Sequence, residues 1–207
     1  MGAANYAVAA VLGIALAAAA LLAVLPGYRP TARLNMLAAL LTLVAAASLY
    51  FLPRPEPGRY LFIDDLNIVF IVLSTFVGFT TSVFSASYIG HELETGKLTA
   101  SYLRFYHAMY QLLMFAMNLA LLANNIGLMW VAIELATLTT VLMVGIYRTA
   151  EALEAAWKYF ILGSVGIALA LFGTILVYMA AQPVVGEGVD AMVWTVLMEQ
   201  VAAFDPA

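Results

Sequence analysis

The sequence contains no cysteine and only two histidines, His91 and His107. Disulfides, thiolate-held iron–sulfur clusters and Cys-type zinc sites are excluded, and two imidazoles are too few for an all-histidine metal cage. Charge is scarce as well: Asp, Glu, Lys and Arg make up 10% of the chain, against about 25% in a soluble domain. Hydrophobic residues reach 65% and the mean hydropathy is +1.00. An ordinary soluble domain is therefore excluded, and the chain belongs in a membrane. No phosphate loop, nucleophile elbow or metal motif occurs. Gly186, Gly188 and Ala191 spell a G-x-G-x-x-A, but no strand precedes it and no βαβ unit follows, so the match is chance.

What is present is a series of long apolar runs. A transmembrane helix needs about 20 mostly apolar residues, so 207 residues leave room for six spans and no water-soluble catalytic domain. The runs cover residues 4–25, 34–52, 66–89, 105–123, 126–147 and 152–181. No Lys or Arg precedes the first run, whereas Arg29 and Arg33 follow it. This reverses the charge order of a signal peptide, so the first run stays as a span. Pro26, Gly27 and Pro30 are expected to break the helix before span two, and Pro53, Pro55, Pro57 and Gly58 to end it.

Short connections make sequence neighbours antiparallel. The expected fold is an all-α integral membrane protein with a six-helix transmembrane region over 1–182. Residues 183–207 are more polar, with Met192, Val193, Val196, Leu197 and Val201 at helical spacing, and are expected to form an extracytoplasmic amphipathic segment. One set of loops carries Arg29, Arg33, Lys97, Arg104 and Arg148; the other carries Arg54 and Arg59. By the positive-inside rule the N-terminus is extracytoplasmic. Tyr102, Phe105, Tyr106 and Tyr110 are expected to form an aromatic belt at the cytoplasmic interface.

Two charges fall well inside spans: Glu134 in the fifth and Lys158 in the sixth. Near mid-helix each costs about 2.5–3.5 kcal/mol on insertion scales, so together they cost on the order of 6 kcal/mol if unpaired. Both approach the middle of the bilayer on neighbouring helices, where they can pair directly or through one water. One reading is a buried ion pair holding two helices together, with Lys158 snorkelling to the interface. The other is a proton or cation relay, because a charged partner that moves changes the proton affinity of the group it leaves.

Other polar positions carry weaker signals. Ser74, Gly78, Thr81 and Ser85 recur along span three, and Gly163, Gly166, Ala170 and Gly173 along span six. The first reads mainly as close helix packing with hydroxyls bonded to the backbone, with a water-lined path as the alternative, and the second as a packing face. His107 is placed at the start of span four near the cytoplasmic interface, as an interfacial hydrogen-bonding group or a point of proton access. Asp64 and Asp65 are expected to end span three at the outer surface, and Trp130 to share a face with Glu134.

The segments SYLRFYH over 101–107, NNIGLMWVAIELAT over 124–137, EAAWKYFI over 154–161 and GSVGIALALFG over 163–173 together resemble the antiporter-like membrane subunits of respiratory complex I and its relatives. Within that group the chain is most similar to the hydrogenase-4 component F branch of membrane-bound nickel–iron hydrogenases. The resemblance implies that Glu134 is the family's fifth-helix glutamate and Lys158 its sixth-helix lysine. It further implies an inverted-repeat fold of which this chain is the N-terminal part, with Phe204-Asp205-Pro206-Ala207 as the loop before a broken seventh helix.

Ion translocation of protons or sodium is the implied function, with no cofactor in this chain. A nickel–iron centre and iron–sulfur clusters would lie in partner subunits. The implied partners are other membrane subunits and the lipid bilayer of a bacterial or archaeal inner membrane, with no nucleic acid. Two alternatives stay open: a subunit of a multisubunit cation/proton antiporter, and a non-pumping scaffold for a peripheral redox enzyme.

Overall fold

A computed structural model describes residues 2–203; Phe204-Asp205-Pro206-Ala207 lies outside the described residues. Helices α1 (Ala3–Val24), α2 (Tyr28–Ser48), α3 (Asp65–Glu94), α4 (Ala100–Leu122), α5 (Ile126–Val144) and α6 (Ala150–Val185) are followed by the short α7 (Trp194–Gln200). The first six are long and apolar enough to cross a membrane. The chain is thus an all-α, multi-pass membrane protein, and the six apolar runs each became one helix.

Local chemistry sets the helix starts. Asp64 caps α3 through a reciprocal pair: its carboxylate accepts from Asn67 N at 2.8 Å, and its own N–H donates to Asn67 Oδ1 at 3.1 Å. Asp64 thus begins span three, while Asp65 is salt-bridged to Arg54 at 2.7 Å. Thr99, Asn125 and Thr149 cap α4, α5 and α6 more simply, each side chain accepting from the backbone N–H three residues on. Two expected boundaries are corrected. Pro30 does not interrupt α2 but sits in its first turn, where the missing N–H has no intrahelical partner to lose. The fourth helix begins at Ala100, five residues earlier than its apolar run, because the Thr99 cap carries the helix out past Arg104.

Helix α4 is the hub, packing on α1, α2, α3 and α5. Small residues permit the close approach: Ala18, Ala38 and Ala108 meet around Leu22. Gly78 of α3 faces Met114 of α4 so tightly that a Cβ there would lie 2.5 Å from the methionine Cε. In α6, by contrast, only Ala156 and Ala181 are buried.

The two ends of the bundle differ. At one, Asn124 ties three loops together: its N–H donates to Tyr60 O, its side-chain amide to Gly58 O and Thr195 Oγ1, and its carbonyl oxygen accepts from Trp194 N. The segment after α6 folds over this end, with Leu197 and Ala191 packed on Ile126 and Ala181. Arg59 pairs with Asp190 at 3.2 Å. At the opposite end Ile89, Leu98, Leu103 and Ile146 form a cluster ringed by Tyr28, Tyr102, Tyr106 and Tyr147.

Candidate functional site

Glu134 projects from α5 between two contacts with α6. One turn before it, Trp130 Nε1 donates to Ile167 O at 2.9 Å. About one turn after it, Thr137 faces Gly163, where an added Cβ would meet the threonine methyl at 3.2 Å. Residues 130, 134 and 137 share a helix face, so Glu134 lies on the α6-facing side of α5, level with residues 163–167. The expected sharing of a face by Trp130 and Glu134 is what the geometry shows. Eight residues separate Glu134 from Ile126, about 12 Å along the axis. Its Oε2 is buried and has no hydrogen-bond partner among the described residues.

Lys158 does not join it. Its ammonium is bonded to Glu154 Oε1 at 2.5 Å on the same helix, and both side chains are exposed. Helical geometry supplies the reason. Ala156 and Gly163 face α5, and a residue two positions from Ala156 is rotated about 200° from it, so Lys158 leaves α6 on the far side. A direct Glu134–Lys158 ion pair, one of the arrangements allowed by the sequence, is absent among the described residues.

His107 is enclosed within the bundle. It is fully buried in α4, and both ring nitrogens lack a partner among the described residues. The early start of α4 puts it about 10 Å from the first residue of the helix. Its contact is the ring of Tyr106, edge-on with centroids 5.4 Å apart. Tyr110, assigned to the aromatic belt by sequence, is also buried, and its hydroxyl donates to Gly78 O at 2.5 Å. Tyr102, Phe105 and Tyr106 are partly exposed.

A seam of buried polar residues runs along α2, α3 and α4, of which only Ser85 and His107 stood out in the sequence. Thr31, Asn35 and Thr42 of α2, Thr75, Ser82 and Ser85 of α3, and His107, Gln111 and Asn118 of α4 are all buried. Gln111 Nε2 donates to Asn35 Oδ1 at 2.8 Å and to Asn35 O at 3.1 Å. Asn118 Nδ2 donates to Met114 O at 2.8 Å. Asn35 Nδ2, Asn118 Oδ1 and Ser74 Oγ have no partner among the described residues. The signal was available: 31, 35 and 42, and again 107, 111 and 118, follow the spacing i, i+4, i+11 of a single helix face.

The small-residue stripes are partly corrected. In α3 the buried stripe runs through Thr75, Gly78, Ser82 and Ser85, and Thr81 is exposed. In α6 Gly163 packs on Thr137, whereas Gly166 and Gly173 have nothing within 4 Å of an added Cβ. Among the described residues no group of three His, Asp or Glu side chains is arranged to hold a metal ion.

Comparison with known proteins places these features. Residues 123–201, which include Glu134 and Lys158, match the family described as NADH:quinone oxidoreductase/Mrp antiporter, TM. The chain is 59% identical over 185 residues to a hydrogenase-4 component F homolog of Methylacidiphilum infernorum, covering 89% of this chain and 39% of that protein. It is 28% identical over 154 residues to NADH-quinone oxidoreductase subunit N 2 of Thermodesulfovibrio yellowstonii, covering 74% of this chain and 32% of that protein. In fold it is similar to a chain of respiratory complex I from Thermus thermophilus with bound aureothin, with a TM-score of 0.67 and 24% identity. That match covers 97% of this chain and 44% of the other. The chain thus spans well under two thirds of the length of these relatives.

Proposed function

Because the chain belongs to the antiporter-like membrane subunits of the complex I and membrane-bound hydrogenase superfamily, we propose that it takes part in moving protons or sodium ions through the membrane arm of a nickel–iron hydrogenase or a related oxidoreductase. Electron transfer and its metal centres belong to partner subunits in this reading. Other membrane subunits complete the assembly. Residues 1–182 form its transmembrane region, and the segment from residue 183 onward is extracytoplasmic. The Arg148 end faces the cytoplasm and the N-terminus lies outside, in keeping with the Lys/Arg bias.

The observation that carries the reading is the orphan oxygen of Glu134. A carboxylate about 12 Å into a helix of an apolar bundle, with one oxygen buried and unpartnered, is costly unless something else completes its coordination. A proton, an ion, water or a basic group from outside the described residues meets that need, and its coming and going is the elementary step of a relay. Lys158 would act as a second cation on the open side of α6, where its Glu154 partner holds it until another acid approaches. His107 would serve proton access through the polar seam, since a buried imidazole with two unpartnered nitrogens can accept and donate.

The discriminating substitution is Glu134→Gln, made in the complete subunit within its assembled complex. It keeps volume and hydrogen-bonding atoms but cannot ionise. The expected outcome is near-normal assembly with loss of most redox-driven ion pumping, while Glu134→Asp retains a measurable part. Pumping at the wild-type level in a well-assembled Glu134→Gln complex would defeat the relay and favour a static scaffold.

A further inference from the structure

At the Arg148 end, the first turns of α4 and α6 and the last turns of α5 diverge around a cavity of about 880 Å³, within the roughly 300–1,000 Å³ range of ligand sites. Its walls are mostly apolar, among them Phe105, Leu138, Leu142, Trp157 and Phe160. From Gly145 to Leu138 the α5 wall descends seven residues, about 10 Å along the axis. Polar groups enter the lining only at Ser101, Tyr102 and Arg148.

Arg148 is the one charged residue in the cavity lining. Arg148, the connector between α5 and α6, stacks over the Tyr102 ring with its guanidinium carbon 5.0 Å from the centroid. Arg104 donates to Ser101 Oγ at 3.4 Å. Neither arginine forms an ion pair among the described residues, and Glu154, the acid in the second turn of α6, is taken by Lys158. A guanidinium stacked on an aromatic face keeps its N–H edge open for two parallel bonds to a phosphate.

We propose that this cavity binds one anionic phospholipid, with its phosphate on Arg104 and Arg148 and an acyl chain against Leu138, Leu142, Trp157 and Phe160. The charge sits at the level of the headgroups because Arg148 lies in the turn that closes the membrane-spanning hairpin, and the apolar wall begins immediately inside it. Basic pockets between transmembrane helices with this layout select anionic headgroups. The site is independent of whether Glu134 carries ions.

The test uses the complete subunit in its complex, purified from membranes containing phosphatidylglycerol and phosphatidylethanolamine, with bound lipid counted by native mass spectrometry. Phosphatidylglycerol should be retained in preference to phosphatidylethanolamine. The Arg104→Gln/Arg148→Gln double variant should retain about thirtyfold less of it, with the mass of the protein assembly unchanged. Leu142→Trp, which leaves both arginines in place and fills the groove, should lose it too. Equal retention of the two lipids, or undiminished phosphatidylglycerol in either variant, would overturn the proposal. So would a photo-crosslinker at Trp157 that captures another polypeptide segment instead of lipid.

Discussion

Helices α4 and α6 are both apolar spans with polar residues, yet they use them in opposite ways. The most apolar stretch of α4 has 44% of its positions buried within this chain, and that of α6 has none. α4 turns His107, Gln111 and Asn118 inward, where Gln111 bonds Asn35 of α2. α6 turns Lys158 outward and leaves Leu162, Leu169 and Phe172 exposed. Lipid covers an apolar face without further help, but it offers nothing to an ammonium or to the unpartnered oxygen of Glu134. The first four helices form a unit whose polar groups are largely enclosed by one another. The α5–α6 hairpin, which falls in the region matched by the family, leaves its polar groups at the margin of the described bundle: Glu134 Oε2 has no partner among the described residues, and Lys158 is held by Glu154 of its own helix.

Equivalent glycine substitutions should break this symmetry most strongly. Gly78→Leu forces side-chain atoms into the space of the Met114 thioether, since even a Cβ would stand 2.5 Å from Cε and 2.7 Å from Sδ. It also disturbs the carbonyl that accepts from Tyr110. We expect destabilisation of about 1–3 kcal/mol or more, measured as a lower thermal midpoint and reduced yield of folded subunit. At Gly166 an added Cβ meets nothing within 4 Å among the described residues, so Gly166→Leu should leave the isolated bundle's midpoint nearly unchanged. A comparable loss for Gly166→Leu only in the assembled complex would show that a protein surface covers α6.

A smaller effect is expected within the polar seam. Gln111→Leu removes both bonds to Asn35 and leaves that buried amide unpaired, at about 1–3 kcal/mol by chemical denaturation. His107→Leu removes a group that has no partner to strand. Its cost should stay below that of Gln111→Leu, because removing an unsatisfied polar group offsets part of the lost packing. If His107→Leu proves as costly as Gln111→Leu, the imidazole holds a partner such as ordered water in the folded protein. In that case the comparison between satisfied and unsatisfied members of the seam fails.

Much of the architecture was legible because it depends on local composition. Each apolar run became one helix, and the caps at Asp64, Thr99, Asn125 and Thr149 are residues whose short polar side chains reach the next turn. Less legible was which side chains the bundle encloses. His107 follows Arg104 and a group of aromatics, and the structure surrounds it with protein in a helix that begins at Ala100. The α6 glycines looked like one packing face, but Gly163 meets Thr137 while Gly166, three residues on, has no neighbour.

The sequence by itself determined that the chain lives in a membrane, how many helices cross it, and which ionisable groups stand out against hydrocarbon, because each follows from the transfer energy of residues taken a few turns at a time. The tertiary structure decided which polar groups meet. Whether Glu134 faces Lys158 depends on how α5 and α6 are rotated about their axes. That rotation was set by remote packing: the Trp130 bond to Ile167 and the seat of Thr137 on Gly163 turn the glutamate toward α6. The same rotation turns Lys158 away, onto Glu154.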